Sequence, residues 1–358
     1  MRPLERRLLV AFLLSTALIM MYQFFWAGPR ARRAQELKQA QQERMEASQP
    51  APIEEALEQP AGSDPLATND RVAAGDPSRL QDETASSMLP EANAGSTSLI
   101  TVVTPLYEIT FSTLGAEIVA VRLLDYETEG QPVQMVRDDP AMDGGLLRVT
   151  LAGDERVLPL KDVLFEAYSD RGVDPLLSGT TITLDGSDPE RKLLFRTPGT
   201  GNEIITREYT FAADAYMVRS RVQFATAGYP FTRKLVWGFG PGLRSTEKNT
   251  QGDYDAMRAS LRLGDEYYRK KRGDFEERFS GMVQWASLQM KYFTAIMIPE
   301  TPTGGEAEMV GVKDQNFQTA AIELPAAERR GVVNQTVDVY FGPLDYKQLK
   351  IIGRGLEK

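Results

Sequence analysis

Two residue types are missing from the 358-residue chain: cysteine and histidine. Without cysteine there is no disulfide, thiolate metal site, thiol nucleophile, iron–sulfur ligand or lipoprotein acylation site. A cysteine-free chain fits an oxidising compartment, where stray thiols are a liability. Without histidine, Ser-His-Asp triads, histidine metal sites and the commonest general acid–base group near neutral pH are excluded. Carboxylate-only or lysine chemistry remains open. Basic charge is also short: 41 Lys/Arg face 50 Asp/Glu, for a net charge of -9. A general nucleic-acid binder needs a basic face, so that class is excluded. Aromatic residues are missing from one long stretch. Residues 28–98 hold no Phe, Trp or Tyr, seven prolines, and 7 Lys/Arg against 12 Asp/Glu. Such a segment cannot bury enough apolar surface to offset its ordering entropy. It is expected to be a disordered polar linker, with a polar helical spacing from Arg32 to Ala47, whose role is reach.

What precedes the linker is apolar. Leu8 to Trp26 is a run of 19 uncharged residues. At about 1.5 Å per residue it spans roughly 28 Å, close to the hydrocarbon thickness of a bilayer. Tyr22, Phe24, Phe25 and Trp26 cluster at its end like an interfacial belt. A cleavable signal peptide would need a small residue where Trp26 stands, so residues 1–27 are expected to form a retained transmembrane anchor. Arg2, Arg6 and Arg7 on one side nearly balance Arg30, Arg32 and Arg33 on the other, so charge alone leaves the orientation open.

From Leu99 the texture becomes short alternating runs. Tyr107, Ile109 and Phe111 share one face. So do Tyr216, Val218, Ser220, Val222 and Phe224, and again Val333, Gln335, Val337, Val339 and Phe341. Period two with β-branched and aromatic residues predicts half-buried strands. Further strands are predicted over 116–124, 146–151, 180–184, 191–197, 203–211, 232–238, 281–287, 291–298, 306–313 and 317–324. Many short strands with turn signals predict an all-β sandwich over 99–342, large for a two-sheet fold. Pro343 can open a helix. Tyr346, Leu349, Ile352 and Leu356 then recur at helical spacing, which predicts an amphipathic C-terminal helix over 343–358.

Several groups of residues invite a functional reading. Trp237, Trp285 and Tyr292 either line a cleft for an apolar or sugar-like ligand or sit in the core. The face of Tyr346, Leu349, Ile352 and Leu356 packs on the sandwich, meets membrane components, or does both. The glycine-rich stretch from Trp237 to Gly242 reads as a structural turn, because Pro241 spoils phosphate-loop spacing. Asp138, Asp139 and Asp143 lack the spacing of a calcium loop. Asp265 to Arg278 mixes both charges with aromatics, as an exposed hairpin or helix or a partner-docking patch. No metal or other cofactor is expected.

Three segments carry a resemblance: ITVVTPLYEITFSTLGAEIVAVRLLDY (100–126), VQWASLQMKYFTAIMIP (283–299) and VYFGPLDYKQL (339–349). Their order, behind an anchor and a polar linker, resembles the N-terminal part of the YidC membrane-protein insertase family. The resemblance implies a large β-supersandwich, galactose-mutarotase-like in shape, with the N-terminus cytoplasmic and the domain periplasmic at the bacterial inner membrane. In that family the chain continues into an interfacial helix and five membrane helices with a hydrophilic groove. Those are expected to be absent here, so a separately encoded insertase core or a truncation is implied. The implied function is a non-enzymatic, positioning part of an insertase that assists insertion, folding and assembly of inner-membrane proteins. Implied partners are the inner membrane, nascent membrane proteins, the Sec translocon with its accessory subunits, and the separate core, with contact through the C-terminal helix. The alternatives are a carbohydrate-binding or sugar-epimerase-like enzyme on a mutarotase-like sandwich, or a membrane-tethered periplasmic scaffold.

Overall fold

The computed structural model describes residues 97–137, 145–240 and 242–357. The expected anchor over Leu8–Trp26, the linker up to residue 96, and Asp138, Asp139, Asp143 and Pro241 lie outside the described residues. Among the described residues no helix is long and apolar enough to cross a membrane.

The strands follow in chain order. They are β1 (Leu99–Val103), β2 (Tyr107–Ser112), β3 (Glu117–Thr128), β4 (Gln131–Gln134), β5 (Arg148–Ala152), β6 (Val157–Pro159) and β7 (Glu166–Ser169). Next come β8 (Thr181–Thr183), β9 (Glu190–Arg196), β10 (Ile205–Ala212), β11 (Met217–Ala225), β12 (Lys234–Gly238), β13 (Arg258–Leu263) and β14 (Glu266–Lys271). The last are β15 (Phe275–Gln289), β16 (Phe293–Pro299), β17 (Thr303–Val312), β18 (Phe317–Pro325), β19 (Glu328–Arg329) and β20 (Val332–Pro343). Among the described residues two α-helices accompany them, α1 (Thr250–Ala256) and α2 (Tyr346–Ile352).

The fold is all-β and built from two sheets. A 5-stranded sheet runs β4-β3-β2-β1-β8, and β8 joins β1 in parallel. A 15-stranded sheet runs β6-β5-β12-β18-β17-β15-β16-β20-β11-β10-β9-β7, with β13 and β14 attached through β15, and β19 through β20. The alternation that predicts strands is the alternation that buries them. β10 buries every second residue from Ile205 to Phe211. Tyr107, Ile109 and Phe111 of β2 are fully buried. Phe111 lies 4.7 Å from Tyr209 and 5.8 Å from both Phe195 and Phe211, so the smaller sheet packs directly on β9 and β10. β16 is buried at all seven positions, as a strand covered on both faces should be.

The packed sheets also hold strained backbone. Gly115, Ala116 and Leu147 all have positive φ, at 75°, 50° and 59°. A side chain at Gly115 would meet the Lys161 backbone at 2.9 Å, so the turn needs glycine for both conformation and space. The carbonyls of these three residues are satisfied by β10. Arg207, fully buried, donates to Gly115 O at 2.8 Å and Leu147 O at 3.0 Å, and the Tyr209 hydroxyl donates to Ala116 O at 2.8 Å. The two side chains therefore join the sheets and hold the left-handed turns.

One local expectation is met as a hairpin and another changes. Residues 265–278 hold β14, which forms an exposed hairpin with β13, and then lead into β15 at Phe275. Pro343 does not open the last helix. It ends β20, paired with Phe293, and the helix starts at Tyr346 behind Asp345.

Candidate functional site

The C-terminal segment is docked tightly. Asp345 caps α2, its Oδ1 accepting from the Gln348 N–H at 2.9 Å. Leu349 and Leu356 are buried and Ile352 packs partly buried against the core. Tyr346 is the exception on the predicted face, 58% exposed, with the Lys350 ammonium 5.5 Å from its ring. Beyond α2, Gly353, Arg354 and Gly355 all take positive φ. The Arg354 guanidinium donates to Pro299 O at 2.7 Å and Glu300 O at 2.8 Å. Its own carbonyl accepts from the Trp285 indole at 3.0 Å and from Arg262. A side chain at Gly355 would stand 2.2 Å from the Tyr267 hydroxyl. Arg354 thus staples the chain to the ends of β15 and β16.

Trp237, Trp285 and Tyr292 do not share a cleft lining. Trp237 is fully buried and donates to Gln335 Oε1 at 2.9 Å. Trp285 is buried against Tyr267, 6.0 Å between rings, under the Arg354 staple. Tyr292 is 48% exposed and lines a cleft with Tyr126, Phe293 and Leu344 that neither tryptophan reaches.

That cleft is one of two pockets sharing Tyr126 as a wall. One is about 430 Å³ and the other about 340 Å³. Tyr126 sits where the register of β3 against β4 slips between Leu123 and Glu127. Such a bulge re-aims side chains. Behind it Tyr216 and Tyr340 are 6.1 Å apart. The Tyr216 hydroxyl donates to Asp125 Oδ2 at 3.5 Å, and the Tyr340 hydroxyl donates to Pro343 O at 2.8 Å. Burial pushes both phenols above their ordinary value, and neighbouring Tyr126 and Asp125 push Tyr216 further. These hydroxyls stay protonated donors at neutral pH. Sequence reasoning missed this pair of pockets, because residues 125–127, 214–217 and 340–352 meet only through the sheet.

A larger cleft of about 1360 Å³ lies between β3–β4 and residues 244–254. Its charged lining is mixed, with Arg122 paired to Glu108 at 2.6 Å and Arg137 donating to Asn316 O and Gln315 O. Asp253, fully buried, fixes the far wall by accepting from Ser245 Oγ, Thr246 N–H and Lys291 N–H.

A two-sheet β sandwich whose last strand runs into a docked helix is the class of fold. Residues 99–358 match the family described as the YidC periplasmic domain, and the chain belongs to that family. Among its relatives is the membrane protein insertase YidC of Chlorobium phaeovibrioides, 28% identical over 71% of this chain and 43% of that protein. That of Chloroherpeton thalassium is 25% identical over 99% of this chain and 58% of that protein. The chain thus spans about half the length of the curated relatives it matches. Among solved structures, a galactose mutarotase-like protein from Lactobacillus casei aligns with TM-score 0.40 and 10% identity, over 69% of this chain and 100% of that one. An α-N-acetylgalactosaminidase from Bifidobacterium bifidum aligns with TM-score 0.45 and 9% identity, over 70% of this chain and 38% of that one.

Proposed function

We propose that this chain supplies the periplasmic domain of an insertase, assisting insertion, folding and assembly of inner-membrane proteins through position and contact, without catalysis. The family match over 99–358 carries this reading. The chain sits at the bacterial inner membrane with its N-terminus cytoplasmic, anchored by Leu8–Trp26. Its partners are nascent membrane proteins, an insertase core and the Sec translocon. The docked C-terminal segment supports a positioning role, because a stapled exit fixes the direction in which the domain faces its neighbours. Tyr346 and Ile351, the exposed aromatic and aliphatic residues of α2, are the contact points toward the core or membrane. A photoreactive residue at Ile351, in the full chain in its native cell, tests this. Adducts with membrane-embedded insertion machinery or nascent membrane proteins are expected. Adducts confined to soluble periplasmic proteins would overturn the proposal.

A further inference from the structure

The two pockets on either side of Tyr126 are lined by acids and aromatics and by no lysine or arginine. Five carboxylates contribute: Asp125, Glu127, Asp214, Glu247 and Asp345. Two of these are occupied, Glu247 by Lys291 at 3.3 Å and Asp345 by capping α2. Asp125, Glu127 and Asp214 have no ion pair with any described residue. Lys291 already serves the larger pocket, pairing with Glu247 at 3.3 Å and standing 4.5 Å from the centre of the Tyr292 ring, so the acids open to a further cation are Glu127 there and Asp125 and Asp214 in the smaller pocket. Lys350 stands over the Tyr346 ring, and Lys347 lines neither pocket.

The aromatic component is equally specific. Tyr126, Tyr216 and Tyr340 line the smaller pocket, and Tyr126, Tyr292 and Phe293 the larger. Ring faces carry negative electrostatic potential and attract cations, and the attraction strengthens where water is excluded. Carboxylates beside such rings add charge and hydrogen-bond acceptors. The rim is apolar, with half-buried Leu106 and Met217 and with Ile351 86% exposed. A cationic side chain entering either pocket would find apolar surface for its stem and acids for its head. Two such pockets in series suit a polypeptide with successive side chains better than a lone amine.

We propose that this surface, beside α2, docks a basic polypeptide segment of a partner protein, in which arginine or lysine alternates with apolar residues. Asp125 and Asp214 receive the cations, the tyrosine rings flank them, and Ile351 covers the apolar neighbours. The inference rests on charge complementarity and pocket chemistry, independently of the insertase reading.

The test uses the full chain in a neutral detergent and a fluorescent peptide of alternating arginine and leucine, with a glutamate–leucine peptide as control. The basic peptide is expected to bind, with affinity that falls as salt rises. Replacing Asp125→Asn together with Asp214→Asn is expected to weaken it by at least about tenfold. Glu328→Gln, at an exposed acid on β19, is expected to leave it unchanged. Asn keeps an acceptor for the Tyr216 hydroxyl, and circular dichroism checks the fold of each variant. Equal binding of the acidic peptide, or unchanged affinity in the double variant, would overturn the proposal. So would absence of peptide binding, whether or not sedimentation shows a self-association that the double variant abolishes; that self-association would assign the surface to a second copy.

Discussion

At the scale of single residues, the buried charges of the sheet junction decide most. Arg207 is enclosed and its two terminal nitrogens serve carbonyls of left-handed turns. Arg207→Met keeps much of the volume but strands two buried acceptors, each costing about 1–3 kcal/mol. The expected loss is about 3–5 kcal/mol, read as a fall in the urea midpoint with unchanged slope. An unaltered midpoint would contradict the role given to Arg207. Glu117 lies in the same junction, buried, its Oε2 accepting from the Gly145 N–H at 2.5 Å and its Oε1 3.9 Å from Arg148. Burial raises its carboxyl above the ordinary 4.5, and outweighs Gly145, Arg148, Arg207 and Lys161, which lower it. A raised folded value means that the folded state holds the proton more tightly than the unfolded chain. Its contribution is therefore present below the unfolded value and is lost as pH rises through the folded one. Glu117→Gln should flatten the decline in stability as pH rises from the ordinary carboxylate range through neutrality. A steeper decline in the variant, measured by thermal melts across that range, would show that the arginines dominate instead.

At the scale of elements, the docked terminus makes the sharpest claims. Leu349→Asp puts a charge on the buried face of α2 and should cost a few kcal/mol, roughly 2–4. Ile352→Asp, at a half-buried position, should cost less. Arg354→Ala removes the staple and should raise hydrogen exchange across 346–357 while leaving β10 protected; uniform exchange would argue against a local latch. On β14, Lys271→Glu should stay within about 0.5 kcal/mol because the strand is an exposed edge. Arg272 is different, since it donates to Lys313 O and lies 3.8 Å from Asp255. The strands were legible because burial on one face writes period two into β2, β10, β11 and β20. The edges were not. β6, β7 and β14 bury little and leave weak alternation. Pro343 misled because a proline that can open a helix can also end a strand, and here the Tyr340 hydroxyl holds its carbonyl. The tryptophans carry a chemistry that fits a cleft or a core equally well, and the amide of Gln335 decides for the core at Trp237. Nothing local marks Asp125 and Asp214 as neighbours.

At the scale of the whole domain, the two sheets share one core. Phe111 of the smaller sheet is packed among Phe195, Tyr209 and Phe211 of the larger one, and Arg207 donates across the same boundary. Neither sheet could keep its inner face buried alone. The pairings are also distant in sequence: β1 closes on β8, β5 on β12, and β11 on β20. Non-local pairing must meet its loop-closure entropy before contacts reward it, which slows folding and favours all-or-none behaviour. We therefore expect β1–β3 and β9–β11 to lose amide protection together as urea rises, in one transition that coincides with loss of the far-ultraviolet signal. α2 should precede it, because its hold on the core rests on few side chains and the Arg354 staple. Hydrogen exchange with mass spectrometry at increasing urea distinguishes the outcomes. If β1–β3 exchanged at lower denaturant than β9–β11, the smaller sheet would be a separate unit and the cross-sheet bonds of Arg207 and Tyr209 would not couple the two. If β1–β3 and β9–β11 exchanged at one midpoint, with Arg207→Met lowering it for both sheets equally, the junction would be the element that makes the sandwich a single cooperative body.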